Sequence, residues 1–226
     1  MEKIRAVLFD LDGTLVDSVP DLTVGINTIM ASLRMRPFTE EQISTMVGKG
    51  VRVLVEKVCD ARGIYITPQT VDTLIRRYAQ IMTENDNRYT RFYPGAIEGL
   101  DRLRAAGIRR AIVTNKIRVM AENFVVKTGL DQHFDTLVAG DDTRHAKPAA
   151  DMLLLACKKL GVSPSEAVMV GDSRNDALAA QAAQMPVYLV TTGYNEGTPI
   201  KQWGRDNGFE EVYSGIEPIV NEILRV

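Results

Sequence analysis

Asp10 and Asp12 stand two residues apart where the apolar run Val7-Leu8-Phe9 stops, in the stretch VLFDLDGTLVDS. Two carboxylates this close repel each other unless a cation separates them, and at least one pKa rises. A divalent metal removes the conflict. The surroundings offer Asp and backbone carbonyls and no Cys-His cluster, and hard oxygen donors suit Mg²⁺. An Asp carboxylate can also act as a nucleophile and form an aspartyl phosphate; the second acid would then protonate the leaving oxygen and later activate water. An ordinary alternative exists for any single Asp after a strand, which caps the next helix or opens a turn. Other chemistry is poorly provided for. His133 and His145 are too scattered for a zinc site and suit surface or loop roles, and Cys59 and Cys157 stand alone without a CxxC, as reduced structural thiols. The turn Gly48-Lys49-Gly50 fits neither a Walker A frame nor a dinucleotide fingerprint, since Val53 occupies the place of the third glycine.

The elements that must position these acids are legible as short apolar runs at Ile4 to Phe9, Ala111 to Val113, Leu137 to Ala139, Ala167 to Val170 and Val187 to Val190. Continuous apolar runs mark parallel strands buried on both faces. Helical spacing between them predicts helices at Gly95 to Ala106, Val119 to Lys127, Ala149 to Lys159 and Asp176 to Gln184. Such alternation predicts an α/β fold: a doubly wound parallel sheet, Rossmann-like. Residues 17 to 88 break the pattern, with helical periodicity and no convincing strand. Leu22, Ile26, Ile29, Met30 and Leu33 form one apolar face, and Thr39-Glu40-Glu41-Gln42 reads as a capping box. This is an all-helical insertion that returns near Arg91-Phe92-Tyr93-Pro94-Gly95-Ala96. The apolar runs end in Asp10, Thr114-Asn115, Gly140-Asp141-Asp142 and Gly171-Asp172. In an open parallel sheet these positions share the carboxyl edge, where ligands bind, so the acids are expected to converge there.

Composition narrows the classes further. The 226 residues carry 27 basic and 29 acidic side chains, a net charge of -2 with no long single-sign block, which argues against general nucleic-acid or membrane-surface binding. Met1 to Arg5 lead into too few apolar residues for a signal-peptide core, and no run approaches spanning length. The expectation is a cytoplasmic protein; its oligomeric state is not legible.

Four ordered motifs then carry a family resemblance: DLDGT at 10 to 14, VTN at 113 to 115, Lys147-Pro148, and GDSRND at 171 to 176. The set resembles that of the haloacid dehalogenase-like hydrolases, and the helical insertion resembles that family's cap domain. The resemblance implies Asp10 as nucleophile, Asp12 as general acid and base, and Thr114 and Lys147 holding the transferring phosphoryl group. It implies Mg²⁺ bound by the Asp10 carboxylate, the Asp12 main-chain carbonyl and Asp172, with Asp176 supporting from behind. A hydroxyl, an ammonium, backbone amides and Mg²⁺ are what phosphoryl transfer needs. Gly13 relieves the turn so that N–H groups face an anion, and Asn115 belongs to the substrate side. Dehalogenases and phosphonatases of the family lack the second aspartate, so Asp12 points to hydrolysis of a small phosphorylated metabolite. Two departures stand out: no second proline follows Lys147-Pro148, and Gln184 takes the place of a usual glycine. The expected division is a core of residues 1–16 and 89–226 with a cap of 17–88. Lys49 or Arg52 in its VGKGVR turn is expected to reach the site mouth and neutralise a carboxylate on the substrate. Alternatives are the same chemistry on a sugar phosphate or pyrophosphate, a phosphomutase, and a noncatalytic receiver-like phosphoacceptor, whose fold lacks an insertion of this size.

Overall fold

A computed structural model describes residues 3–225; Met1, Glu2 and Val226 lie outside the described residues. The chain begins with β1 (Ala6–Phe9), β2 (Val16–Asp17), α1 (Val19–Ser32), α2 (Glu40–Ser44), α3 (Gly50–Asp60), α4 (Pro68–Glu84) and β3 (Arg91–Phe92). It continues through α5 (Ala96–Ala105), β4 (Arg109–Thr114), α6 (Arg118–Thr128), β5 (Thr136–Ala139), α7 (Asp151–Leu160) and β6 (Ala167–Gly171). It closes with α8 (Arg174–Ala182), β7 (Val187–Val190), α9 (Ile200–Asn207), β8 (Val212–Tyr213) and α10 (Ile216–Arg225).

Strands β5-β4-β1-β6-β7-β8 form one sheet in that order, all parallel. The chain builds from β1 through β4 to β5 and then crosses back to place β6 on the other flank of β1. This makes the carboxyl end of β1 the switch point at which an open sheet leaves a crevice. All four β1 residues are fully buried, which explains the unbroken apolar run. Alternation divides them between two layers. Val7 and Phe9 pack with Leu100, Leu103, Phe124 and Ile219 from α5, α6 and α10, while Ala6 and Leu8 pack with Met152, Ala156, Ala179 and Ala180 from α7 and α8.

Helices α1 to α4 have their own apolar cluster, including Ile26, Met30, Ile43, Leu54, Val58, Leu74, Tyr78 and Met82, to which α6 contributes Met120. The Thr39 capping box forms as expected: Thr39 Oγ1 accepts from Gln42 N at 3.2 Å and Gln42 Oε1 from Thr39 N at 3.1 Å. Leu33 does not belong to the α1 face. The helix ends before it, Arg34 turns left-handed at φ 55°, and Leu33 is exposed. Around the two crossings to this helical segment, β2 and β3 form a small antiparallel pair. Asp21 is buried beside them and accepts hydrogen bonds from Asn85 Nδ2, Tyr89 N, Thr90 N and Thr90 Oγ1, tying the start of α1 to the returning strand.

Three further differences from the sequence reading have local causes. The first strand starts at Ala6 rather than Ile4, whose side chain packs against the core from outside the ladder. Helix α8 starts at Arg174 because Ser173 and Asp176 make a capping box just before it. The sixth strand, β8, has two residues, too few for any periodicity to register. Among the described residues no helix is long and apolar enough to cross a membrane.

Candidate active site

Strand register assembles the site. Phe9 lies opposite Ile112 of β4 and Val170 of β6, so Asp10 emerges level with Val113 and Gly171, and Thr114 and Asp172 follow one residue later. Three of the expected residues are thereby brought to one edge by the ladder alone. The cleft above them holds about 500 Å³, counting its open mouth, and is lined by Asp10, Asp12, Thr114, Asn115 and Lys116 from below and by Leu22, Val47, Gly48, Val51, Leu54 and Tyr78 from the helical segment.

Lys147 is buried beneath Asp10. Its ammonium lies 3.0 Å from Asp10 Oδ1 and 2.6 Å from Asp176 Oδ1, and donates to Val113 O at 2.7 Å. Burial alone would lower the lysine pKa, but the Asp10 and Asp176 carboxylates outweigh it and hold it above the ordinary value. Asp10 Oδ1 also accepts from Leu11 N at 2.7 Å. Its Oδ2 has no hydrogen-bond partner among the described residues. Asp176 is saturated by contrast, with Oδ1 on Lys147 and Oδ2 accepting from Ser173 N at 3.1 Å and Ser173 Oγ at 2.7 Å. Asp176 therefore fixes Lys147 and caps α8 at once.

Carboxylate oxygens of Asp10, Asp172 and Asp176 lie within 4.8 Å of one another. Burial, only partly offset by Lys147, pushes the Asp10 carboxyl up to about 7, with the charges of Asp176 and Asp12 adding to the rise. Burial and then the charges of Asp176 and Asp10 push Asp172 well above the carboxylate range. One ammonium facing three acids, Asp172 and Asp176 buried and Asp10 partly so, leaves negative charge uncompensated. An all-oxygen donor set with that surplus fits Mg²⁺.

Asp12 stands apart from this trio. Its Oδ1 accepts from Ser18 Oγ at 2.5 Å and its Oδ2 lies 3.0 Å from Lys116 Nζ. Between the two acids the chain turns tightly at Gly13, φ 89°, where a Cβ would fall 2.4 Å from Asp172 Oδ2. Asp172 in turn accepts from Thr14 Oγ1 and from Tyr194 N, both at 2.7 Å. The segment Gly193-Tyr194-Asn195-Glu196-Gly197 thus closes the site from the side. Tyr194 also donates to Asp17 of β2, and Glu196 pairs with Lys49 and Lys57 of the helical segment and with Arg174.

Several expectations are corrected. Asp141 and Asp142 do not join the converging acids: Asp141 accepts from Arg118 N, and Asp142 grips the Arg118 guanidinium, so the pair anchors the start of α6. Asn115 donates Nδ2 to Gly48 O at 3.0 Å and Lys147 O at 2.9 Å and accepts from Lys147 N at 3.0 Å. Its amide thus bridges backbone segments rather than offering a free group to a ligand. The Gly48-Lys49-Gly50 turn does reach the cleft, yet neither expected cation lines it. Lys49 is paired with Glu196 at 3.1 Å, and Arg52 is half-exposed on Asp72 of α4 at 2.5 Å. The lining cation is Lys116, next to the VTN motif but unassigned by the sequence reading; Tyr78 carried no signal beyond helical spacing. His133 and His145 sit on Asp101 and Asp151, both cysteines are buried and unpaired, and Trp203 stacks on Phe209.

Comparison with known proteins agrees with this geometry. Residues 7–190 match the haloacid dehalogenase-like hydrolase family. The chain is 36% identical over 211 residues to a phosphoglycolate phosphatase of Colwellia psychrerythraea, covering 90% of this chain and 92% of that protein. It is also 36% identical over 214 residues to a phosphoglycolate phosphatase of Chromobacterium violaceum, covering 94% and 96%. A crystal structure described as a predicted phosphoglycolate phosphatase from Haemophilus somnus superposes with a TM-score of 0.88 at 30% identity, covering 98% of both chains. With its ordered motifs at the carboxyl edge of a matching sheet, the chain belongs to the haloacid dehalogenase-like hydrolase family.

Proposed function

We propose that the protein is a Mg²⁺-dependent phosphomonoesterase that hydrolyses 2-phosphoglycolate through a phosphoaspartate on Asp10. The observation that carries the reading is Asp10 itself, with Oδ1 held by Leu11 N and Lys147 and Oδ2 left without a hydrogen-bond partner among the described residues at the cleft floor. Relatives at 36% identity that bear the name phosphoglycolate phosphatase support the substrate.

In the first step Oδ2 of Asp10 attacks phosphorus, the bond from phosphorus to the ester oxygen breaks, and Asp12 delivers its proton to that oxygen. In the second, Asp12 takes a proton from water as the water attacks phosphorus; the bond to Asp10 breaks and phosphate leaves. Lys147 and Thr114 stabilise the charge on the transferring oxygens. Ser18 orients Asp12 through its 2.5 Å hydrogen bond. Asp10, Asp172 and the Asp12 main-chain carbonyl would hold Mg²⁺, with Asp176 behind them, and the ion would neutralise charge between carboxylates and phosphoryl group. Residues 17–88 act as a cap that excludes water during transfer; supporting this, Val47, Val51, Leu54 and Tyr78 roof the cleft.

A kinetic panel of phosphoglycolate, sugar phosphates and pyrophosphate, with and without Mg²⁺, tests the reading. The expected result is highest kcat/KM on phosphoglycolate, loss with chelator and recovery with Mg²⁺. Preference for a sugar phosphate or pyrophosphate would overturn the substrate, and activity surviving exhaustive chelation would overturn the metal.

A further inference from the structure

Two polar groups on the cleft wall have no role in the steps above. Lys116 is only 7% exposed, and its single ion-pair partner among the described residues is Asp12, at 3.0 Å. An ammonium carries three donors, so holding one carboxylate leaves capacity for another. Tyr78, on α4, is 1% exposed and lines the same cleft, yet its hydroxyl has no hydrogen-bond partner among the described residues. The ring is pinned where it crosses α1, since a Cβ at Gly25 would lie 2.9 Å from Tyr78 Cε2. A buried hydroxyl without a partner is destabilising, a cost that a ligand oxygen would remove.

Their position fixes which part of a ligand they meet. Lys147 sits under Asp10 at the phosphoryl end. Lys116 flanks Asp12, the proton donor to the leaving oxygen, and therefore belongs to the leaving-group end. The remaining wall there is apolar, formed by Val47, Leu54 and Met120. That leaves room for a short chain ending in one anionic group.

We propose that Lys116 Nζ and Tyr78 Oη form the subsite for a carboxylate carried by the leaving alcohol, one carbon or a few from the phosphorylated oxygen. The proposal deepens the phosphatase reading and rests on it. Lys116 holds the substrate carboxylate and the Asp12 carboxylate together, so one residue couples recognition of the acid to placement of the proton donor. Tyr78 brings the same recognition from the helical segment, so the subsite is complete only when that segment covers the cleft.

The test compares phosphoglycolate with ethyl phosphate, which lacks the carboxylate, in wild type, Lys116→Met, Lys116→Arg and Tyr78→Phe. Wild type should prefer the acid. Lys116→Met should cut the kcat/KM ratio of acid to neutral ester by roughly 10- to 100-fold, a size typical of a charged contact, mostly through KM, with partial recovery in Lys116→Arg. Tyr78→Phe, which keeps the ring, should cut the ratio by about 3- to 10-fold. Equal losses on both esters, or a ratio unchanged in both Lys116→Met and Tyr78→Phe, would overturn the subsite. Should wild type prefer phospholactate or 3-phosphoglycerate to phosphoglycolate, and the two variants abolish that preference, the subsite stands and the phosphoglycolate reading falls. No preference for any acid over its neutral counterpart would overturn the subsite even if phosphatase activity were robust.

Discussion

Asp10 and Asp12 differ in what surrounds them, and the difference suits the separate roles proposed for them. Asp10 has one oxygen fixed by Leu11 N and Lys147 and the other without a hydrogen-bond partner among the described residues. Asp12 has both oxygens engaged by groups that orient it, Ser18 and Lys116. Asp10→Asn should therefore abolish turnover, by more than about 10³-fold or some 4 kcal/mol of barrier, with the fold retained by circular dichroism; near wild-type kcat would remove the covalent route. Asp12→Asn should lower kcat by roughly 10²- to 10⁴-fold, and an unchanged pH-rate profile would take the acid–base role away from it. Gly13→Ala should impair both stability and activity, because the added methyl meets the Asp172 carboxylate at a left-handed turn; a wild-type melting temperature would show that the turn relaxes. These residues were legible because they share one ordered motif that begins where an apolar run ends. Lys116, Tyr78 and Glu196 were not. Tyr78 reaches the cleft, and Glu196 its Lys49, Lys57 and Arg174 partners, through the packing of segments far apart in sequence, and nothing in the local pattern marks Lys116 apart from the VTN residues before it.

Elements follow the sequence wherever a periodicity is long enough to read. Five of the six sheet strands and four of the flanking helices, α5 to α8, stand within a few residues of their apolar patterns, whereas β2, β3 and β8 have two residues each and owe their existence to neighbours. Gln184, placed where the family carries glycine, lies just past α8 at φ 54°, with Met185 N donating to Ala180 O at 2.9 Å in a helix-ending turn. Gln184→Gly should raise unfolding free energy by about 0.5–1 kcal/mol in urea titrations; a loss of stability would mean that the side chain makes a compensating contact. Glu196 links elements rather than ending one. Its carboxylate, 9% exposed, gathers Lys49 and Lys57 from the helical segment and Arg174 from α8. Burial would raise its pKa, but these cations outweigh it and hold the carboxylate charged. If this cluster holds the cap over the cleft, Glu196→Gln should raise KM for phosphoglycolate about 3- to 10-fold, with a smaller difference from wild type at high salt. An unchanged KM would confine the cluster to surface pairing.

At the scale of the whole molecule, a sheet buried on both faces gathers three acids at its switch point, and their mutual repulsion is a property of the fold. Without metal, the Asp10 carboxyl titrates near 7 in the folded protein against an ordinary value of 3.8. Between those values the folded state binds more protons than the unfolded one. The stabilising contribution of the protonated group is thus complete below the ordinary value and lost as pH rises through about 7. Metal-free protein should accordingly melt lower at pH 8 than at pH 6, and Mg²⁺, taking the place of protons, should raise the melting temperature more at pH 8. A larger Mg²⁺ effect at pH 6 would contradict the assignment of these acids to the ion. The central claim, that hydrolysis passes through Asp10, is tested most directly by quenching the enzyme during turnover of phosphoglycolate, reducing with borohydride and mapping the peptides by mass spectrometry. An acyl phosphate on Asp10 is reduced to an alcohol, so the predicted result is a substrate-dependent mass loss at position 10 alone; reduction at Asp12 or Asp172 instead would contradict it.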